Sequence, residues 1–191
     1  MIESKSDVLK NDKLDLQSTF YSFPMRTLFK TIIHLTCLAA LAASLSNVVH
    51  AEMAFVPAAE QLKLISSNDS QLEANKRLVF DFWREVFEGG HMELAERYLS
   101  DEYIQHNPNV QSGRRAFVDF FSKIKKPQTI QPTIQAPLIS IVAERDLVIL
   151  IFGREYPDPK DATQRYETTW FDMFRIRDGK IVEHWDPALR R

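Results

Sequence analysis

The sequence predicts an α+β fold in which three helices precede a run of antiparallel strands and pack on one face of a curved sheet. Three observations carry this. Apolar residues recur at helical spacing in stretches between residues 70 and 125. Beyond Lys126 the pattern changes, with Pro127, Pro132 and Pro137 barring helix and β-branched runs taking over. Two polar triplets, Glu144-Arg145-Asp146 and Arg177-Asp178-Gly179, divide those runs into hairpins.

Ser70-Gln71-Leu72-Glu73 has the spacing of a capping box, so the first helix is expected to start there. Leu78, Phe82 and Val86, with Val79, Trp83 and Phe87, then form a wide apolar stripe, and Gly89-Gly90 supplies the stop. A short second helix is expected over 92–99, with Met92, Ala95, Tyr98 and Leu99 on its inner side. The third is expected over 113–125, capped by Ser112, with Ala116, Phe117, Phe120, Phe121 and Ile124 at helical spacing. Residues 138–143 and 147–156 read as one hairpin, 157–164 as a polar loop, and 166–176 with 180–186 as a second hairpin.

The register of the last hairpin decides which side chains share a face, and two registers are open. A three-residue turn, with Gly179 in the left-handed position of a bulge, pairs Phe174 with Val182, Asp172 with His184 and Trp170 with Asp186. All six then line one face. A two-residue turn at Asp178-Gly179 pairs Asp172 with Trp185 instead. The Arg-Asp-Gly-Lys sequence favours the three-residue form.

Ahead of this domain, residues 25–51 read as a signal peptide. Arg26 and Lys30 precede an apolar run over 31–45, and Val49-His50-Ala51 offers small residues for cleavage after Ala51. The run is short for a membrane span, so export is expected, with no stable span after cleavage. Residues 1–24 read as an upstream extension, with Met25 as an alternative start, residues 52–69 as a tether and 70–191 as the domain. The only cysteine, Cys37, lies in the apolar run, so the exported domain would have no disulfide, thiolate nucleophile or cysteine metal site.

Composition narrows the function. Lys and Arg number 24 against 26 Asp and Glu, a net charge of −2, without the basic footprint of a nucleic-acid binder. No glycine-rich phosphate loop, Gly-x-Ser-x-Gly elbow or internal repeat is present, which argues against nucleotide cofactors and serine hydrolysis.

Two stretches carry a family resemblance. Tyr103-Ile104-Gln105-His106-Asn107-Pro108, followed by a glycine-started helix, and residues 174–186, Phe-Arg-Ile-Arg-Asp-Gly-Lys-Ile-Val-Glu-His-Trp-Asp, resemble the SnoaL-like polyketide cyclase family of the nuclear transport factor 2-like superfamily. The resemblance covers about residues 70 to 187 and implies a cone of curved, mainly antiparallel sheet closed by three helices and enclosing a cavity. It also implies a dimer across the sheet's outer face, a role for which apolar residues on both faces of 147–152 are suited. Cyclases of that family close a ring by aldol condensation with no metal or cofactor. Their acid/base aspartate matches Asp186, whereas the place of their assisting histidine is taken here by Asp172.

Each candidate has a sharp and a bland reading. Asp186 is expected to take a proton α to a carbonyl, or else to cap backbone at a strand end. Asp172, between Phe171 and Met173, either lines a wet cavity or faces solvent or a partner across the sheet, because an unpaired buried carboxylate is costly. His184 is a proton-transfer partner of one aspartate, or a cross-strand hydrogen bonder. His106 and Asn107 hold a developing enolate oxygen, or cap their own loop. Trp83, Tyr103, Trp170 and Phe174 line the ligand site or belong to the core. His106, His184 and an aspartate lack short metal-ligand spacing, so no metal is expected. The competing function is a non-catalytic ligand-binding or dimerisation module, which a cavity filled by aromatic side chains would favour.

Overall fold

The computed structural model describes residues 53–190; the extension, signal peptide and cleavage site expected over residues 1–51 lie outside them. Helix α1 spans Ala58–Ile65 and α2 spans Ser70–Phe82, continuing as a π-turn over Trp83–Glu88. A 3₁₀ turn at Met92–Leu94 leads into α3, Ala95–Tyr98, then β1, Leu99–Gln105, and α4, Arg114–Ile124. The strands β2 (Leu138–Glu144), β3 (Leu147–Pro157), β4 (Arg165–Arg177) and β5 (Lys180–Trp185) follow. They form one sheet in the order β1-β5-β4-β3-β2, antiparallel except that β1 runs parallel to β5. This is the expected α+β architecture, with β1 added where the residues after Leu99 had no assignment.

Within the segment 52–69, expected to be a tether, residues 58–65 form a helix packed on the domain. Ile65 is fully buried, and the buried side chain of Gln61 both donates to the Ile134 carbonyl and accepts from the Ile134 N–H, at 2.9 Å each. Lys76 of α2 reaches back to donate to the carbonyls of Leu64 and Ser66, both at 2.8 Å, closing the C-terminal end of α1. Composition hid this helix because its apolar stripe is short and its polar contacts are long-range.

The helix starts differ by one residue from the spacing argument. Asp69, not Ser70, caps α2, its Oδ1 accepting from the N–H groups of Gln71 and Leu72, while Glu73 accepts from the N–H of Ser67. In α4 the cap residue is Gly113, at φ 100°, and the Ser112 hydroxyl instead accepts from the N–H of Gln105. Of the residues expected inward on α4, Phe117 is buried, but Phe120 and Ile124 are exposed.

Aromatic rings fill the space between helices and sheet. Phe82 sits centrally, its ring centroid 5.9 Å from those of Phe117 and Phe174 and 6.0 Å from that of Tyr98. Trp83 stacks on Phe152 at 4.8 Å. Glu88 fixes that end of the π-turn, accepting from the Trp83 indole and from the N–H groups of Gln135 and Ala136. Among the described residues, no helix is long and apolar enough to cross a membrane.

The last hairpin takes neither simple register. Its turn is the two-residue form, with Arg177 opposite Lys180 and both Asp178 and Gly179 at positive φ, 50° and 70°. Ile176 then pairs with Ile181 but Arg175 pairs with Glu183, so Val182 is an extra residue, a β-bulge. The bulge restores the facing that the three-residue turn would have given, though with Phe174 rather than Asp172 opposite His184. Ile181 and His184, an odd number of residues apart, are consequently both buried on the inner face.

Candidate acid/base site

The inner row of β4 runs Trp170, Asp172, Phe174, Ile176, from half-buried to buried, and the bulged β5 presents His184 beside it. Asp172 is 4% exposed and His184 6%. His184 Nε2 lies 3.0 Å from Asp172 Oδ1, and its Nδ1 lies 2.8 Å from Gln105 Oε1 on β1. The His184 ring packs against Phe174, with centroids 4.8 Å apart. Asp172 Oδ2 is buried and has no hydrogen-bond partner. Burial pushes the Asp172 carboxyl above its ordinary range, more than the hydrogen bond and charge of His184 lower it, and the nearby Asp186 adds to the rise.

Asp186, half-buried just beyond β5, completes the cluster: an oxygen of each aspartate and a ring nitrogen of His184 lie within 4.8 Å of one another. Asp186 Oδ2 accepts from Asn107 Nδ2 at 2.7 Å and its Oδ1 from the Ala188 N–H at 2.9 Å. These three side chains are also the donor set a cation would meet, although Nε2 and Oδ1 are already committed to each other.

The structure therefore brings together Asp172, His184, Asp186 and Asn107, and sets the other candidates apart. His106 is separated from Asn107. It stacks on Trp185 at 4.8 Å and bonds to Glu183 Oε1 at 2.8 Å, on the opposite face of β5 from His184. There Arg175 bridges Glu183 and Asp146, at 2.9 and 2.8 Å. Burial raises the Glu183 carboxyl, but hydrogen bonds from His106 and Arg175 outweigh it and hold the group below its usual range. His106 thus lies against Glu183 and Trp185, apart from the Asp186 that Asn107 holds.

Trp83, Tyr103 and Phe174, expected as either ligand-lining or core, are 4%, 1% and 1% exposed and belong to the aromatic core. Tyr103 keeps one polar contact, accepting from Gln105 Nε2 at 3.1 Å, and burial followed by the charges of Asp172 and Asp186 drives its hydroxyl far above its ordinary range. Trp170 is the aromatic candidate that stays half-buried, with the Arg154 guanidinium 4.3 Å above its ring. The sequence reading missed Arg154 and Gln105. For Gln105 the signal was its place in the quoted motif, but only the parallel pairing of β1 with β5 puts it opposite His184. A surface cleft of about 620 Å³ at the hairpin turns, lined by Asp69, Asn75, Arg145, Asp146 and Asp178 among others, shares no residue with this cluster.

Several solved structures are similar in fold at low identity. A candidate polyketide cyclase from Acidithiobacillus ferrooxidans is 14% identical over 63% of this chain and 89% of its own, with a TM-score of 0.43. An LEH-like epoxide hydrolase from M. tuberculosis is also 14% identical, over 59% of this chain and 80% of its own, with a TM-score of 0.42. A nuclear transport factor 2-like protein of unknown function from Burkholderia pseudomallei is 12% identical over 61% and 91%, with a TM-score of 0.43. A sequence comparison with curated proteins finds no match. The profile of the SnoaL-like domain matches residues 79–184, more than half of the 191 residues, and the chain belongs to that family.

Proposed function

We propose that this SnoaL-like domain binds a small, largely apolar carbonyl compound and moves a proton on it without a cofactor, leading to aldol closure, isomerisation or dehydration. The observation that carries this reading is a pair of carboxylates in unlike surroundings beside one histidine. Asp172 is buried with a bare oxygen, which favours its protonated form, whereas Asp186 is half-buried and accepts from Asn107 and from the Ala188 N–H. Two neighbouring carboxyls in such unlike surroundings are suited to divide the roles of acid and base. In this reading Asp186 removes the proton α to the carbonyl, Asn107 orients Asp186, and Trp170 with Arg154 forms the rim that the ligand meets. Deuterium incorporation next to the carbonyl, followed by NMR in D2O over a panel of small ketones and aldehydes chosen by thermal shift, tests it. Incorporation above the buffer rate supports the reading, and its absence across every compound that raises the melting temperature removes it.

The aromatic filling between helices and sheet favours a second reading, a non-catalytic ligand-binding or dimerisation module of the same fold. Binding with no deuterium incorporation is its signature. In both readings the protein is exported, with the intact mass of protein from its native host expected to begin at Glu52. Both also include a homodimer across the outer sheet face, where Val142 and Phe171 are exposed beside Ile149 and Ile151. Light scattering giving a monomer at micromolar concentration would remove the dimer.

A further inference from the structure

We propose that Gln105 is a positioning residue that locks His184 in the tautomer with its proton on Nδ1, so that the proton between His184 and Asp172 belongs to Asp172. Its catalytic part rests on the proton-transfer reading above; the lock itself does not.

The pattern of donors and acceptors around Gln105 fixes this tautomer. Gln105 Oε1 accepts from the backbone N–H of Asn107 at 2.9 Å, and Gln105 Nε2 donates to the Tyr103 hydroxyl at 3.1 Å. Turning the amide over would set its NH₂ against the Asn107 N–H, donor against donor, so the backbone fixes Oε1 as the acceptor. The same oxygen lies 2.8 Å from His184 Nδ1, which must therefore carry a hydrogen. A neutral imidazole then turns the lone pair of Nε2 toward Asp172 Oδ1, 3.0 Å away, and that contact needs one proton. Placing it on Nε2 would create a buried imidazolium beside a carboxylate whose second oxygen has no donor. Placing it on Oδ1 leaves both groups neutral, the cheaper arrangement where His184 and Asp172 are less than a tenth exposed. Asp186, the remaining acid at the cluster, is then the one with capacity to accept a proton from substrate, and Asp172 is the one with a proton to return.

The test is long-range ¹H–¹⁵N spectroscopy of the histidine side chains in the full ¹⁵N-labelled chain at neutral pH. The expected result is a neutral His184 with Nδ1 protonated and Nε2 bare. Gln105→Leu should move the proton to Nε2, and Gln105→Glu, which keeps an acceptor at that place, should hold it on Nδ1. A wild-type His184 with hydrogen on Nε2, or a folded Gln105→Leu chain with an unchanged tautomer, overturns the lock. Should Gln105→Leu fail to fold, the wild-type and Gln105→Glu spectra still decide. In the deuterium assay Gln105→Leu should lose about tenfold to a hundredfold in rate, as partners that orient a functional histidine do, with Gln105→Glu recovering most of it. Wild-type rates in Gln105→Leu overturn the positioning role, whereas an inactive wild type with the expected tautomer removes the proton-transfer reading and leaves the lock standing.

Discussion

Replacing Asp172 by Asn should stabilise the domain at alkaline pH and leave it nearly unchanged near pH 4. Asn has the same shape, and its amide can donate to His184 Nε2 as the protonated carboxyl does, so the 3.0 Å contact survives. What it cannot do is ionise. Because the folded-state value of Asp172 is raised above the ordinary 3.8, the folded chain holds more protons than the unfolded chain just above that pH, and stability falls as pH rises. The steepest possible fall from one group is about 1.4 kcal/mol per pH unit. It ends once pH passes the raised value. Its total is set by the burial of the charge with Oδ2 unpartnered, a penalty of about 1–3 kcal/mol. At pH 8 the variant should therefore exceed wild type by about that amount, or roughly 3–9 °C in Tm for a domain of this size. Urea titrations of both proteins from pH 4 to 8 measure it. A variant less stable than wild type at pH 8, or a wild type whose stability rises from pH 4 relative to the variant, would establish an ionised Asp172–imidazolium pair and refute the reasoning.

Three further outcomes follow from the packing. Gly90 and Gly179 both have positive φ, but a Cβ at Gly90 would come within 2.5 Å of the Lys126 carbonyl oxygen, whereas Gly179 faces open space. Denaturation should show Gly179→Ala costing about 1–2 kcal/mol, the left-handed backbone term alone, and Gly90→Ala clearly more. Phe152→Ala, which empties the site under Trp83, should cost about 3–5 kcal/mol by the same measurement. Gln61→Leu should cost about 1–3 kcal/mol by stranding the buried N–H and carbonyl of Ile134; no loss would mean that α1 is not integral to the fold.

Much of this molecule was legible from local chemistry, and the misses share a cause. Helical spacing correctly put Val79, Phe82, Trp83, Met92, Ala95 and Phe117 inside, because a periodic stripe reports which face is buried regardless of what it meets. Leu147, opposite Glu144, likewise begins its strand after the turn marked by Arg145 and Asp146. The parallel pairing of β1 with β5 and the interaction of Gln61 with Ile134 arise between segments far apart in sequence, where spacing is silent. For the candidate site, Asp172, His184 and Asp186 were expected on one face, and they share it by way of the bulge at Val182 rather than the turn form favoured from Arg-Asp-Gly-Lys. Residue type alone could not separate His106 from Asn107, since only the fold shows His106 against Glu183 and Trp185 and Asn107 against Asp186. Trp83 and Tyr103 show the converse: an aromatic side chain suits a pocket wall or a core equally, and burial decides.

The most direct test of the central claim is deuterium incorporation by Asp186→Asn, compared with wild type on any ketone that the wild type labels. The variant should fold with a melting temperature unchanged to within a few degrees, since Asn is nearly isosteric and its single amide oxygen can keep one of the two N–H bonds that Asp186 accepts. The account predicts that its incorporation rate falls by about 10²- to 10⁴-fold, the loss expected when a general base is removed. A folded Asp186→Asn chain that labels the ketone at the wild-type rate would contradict it.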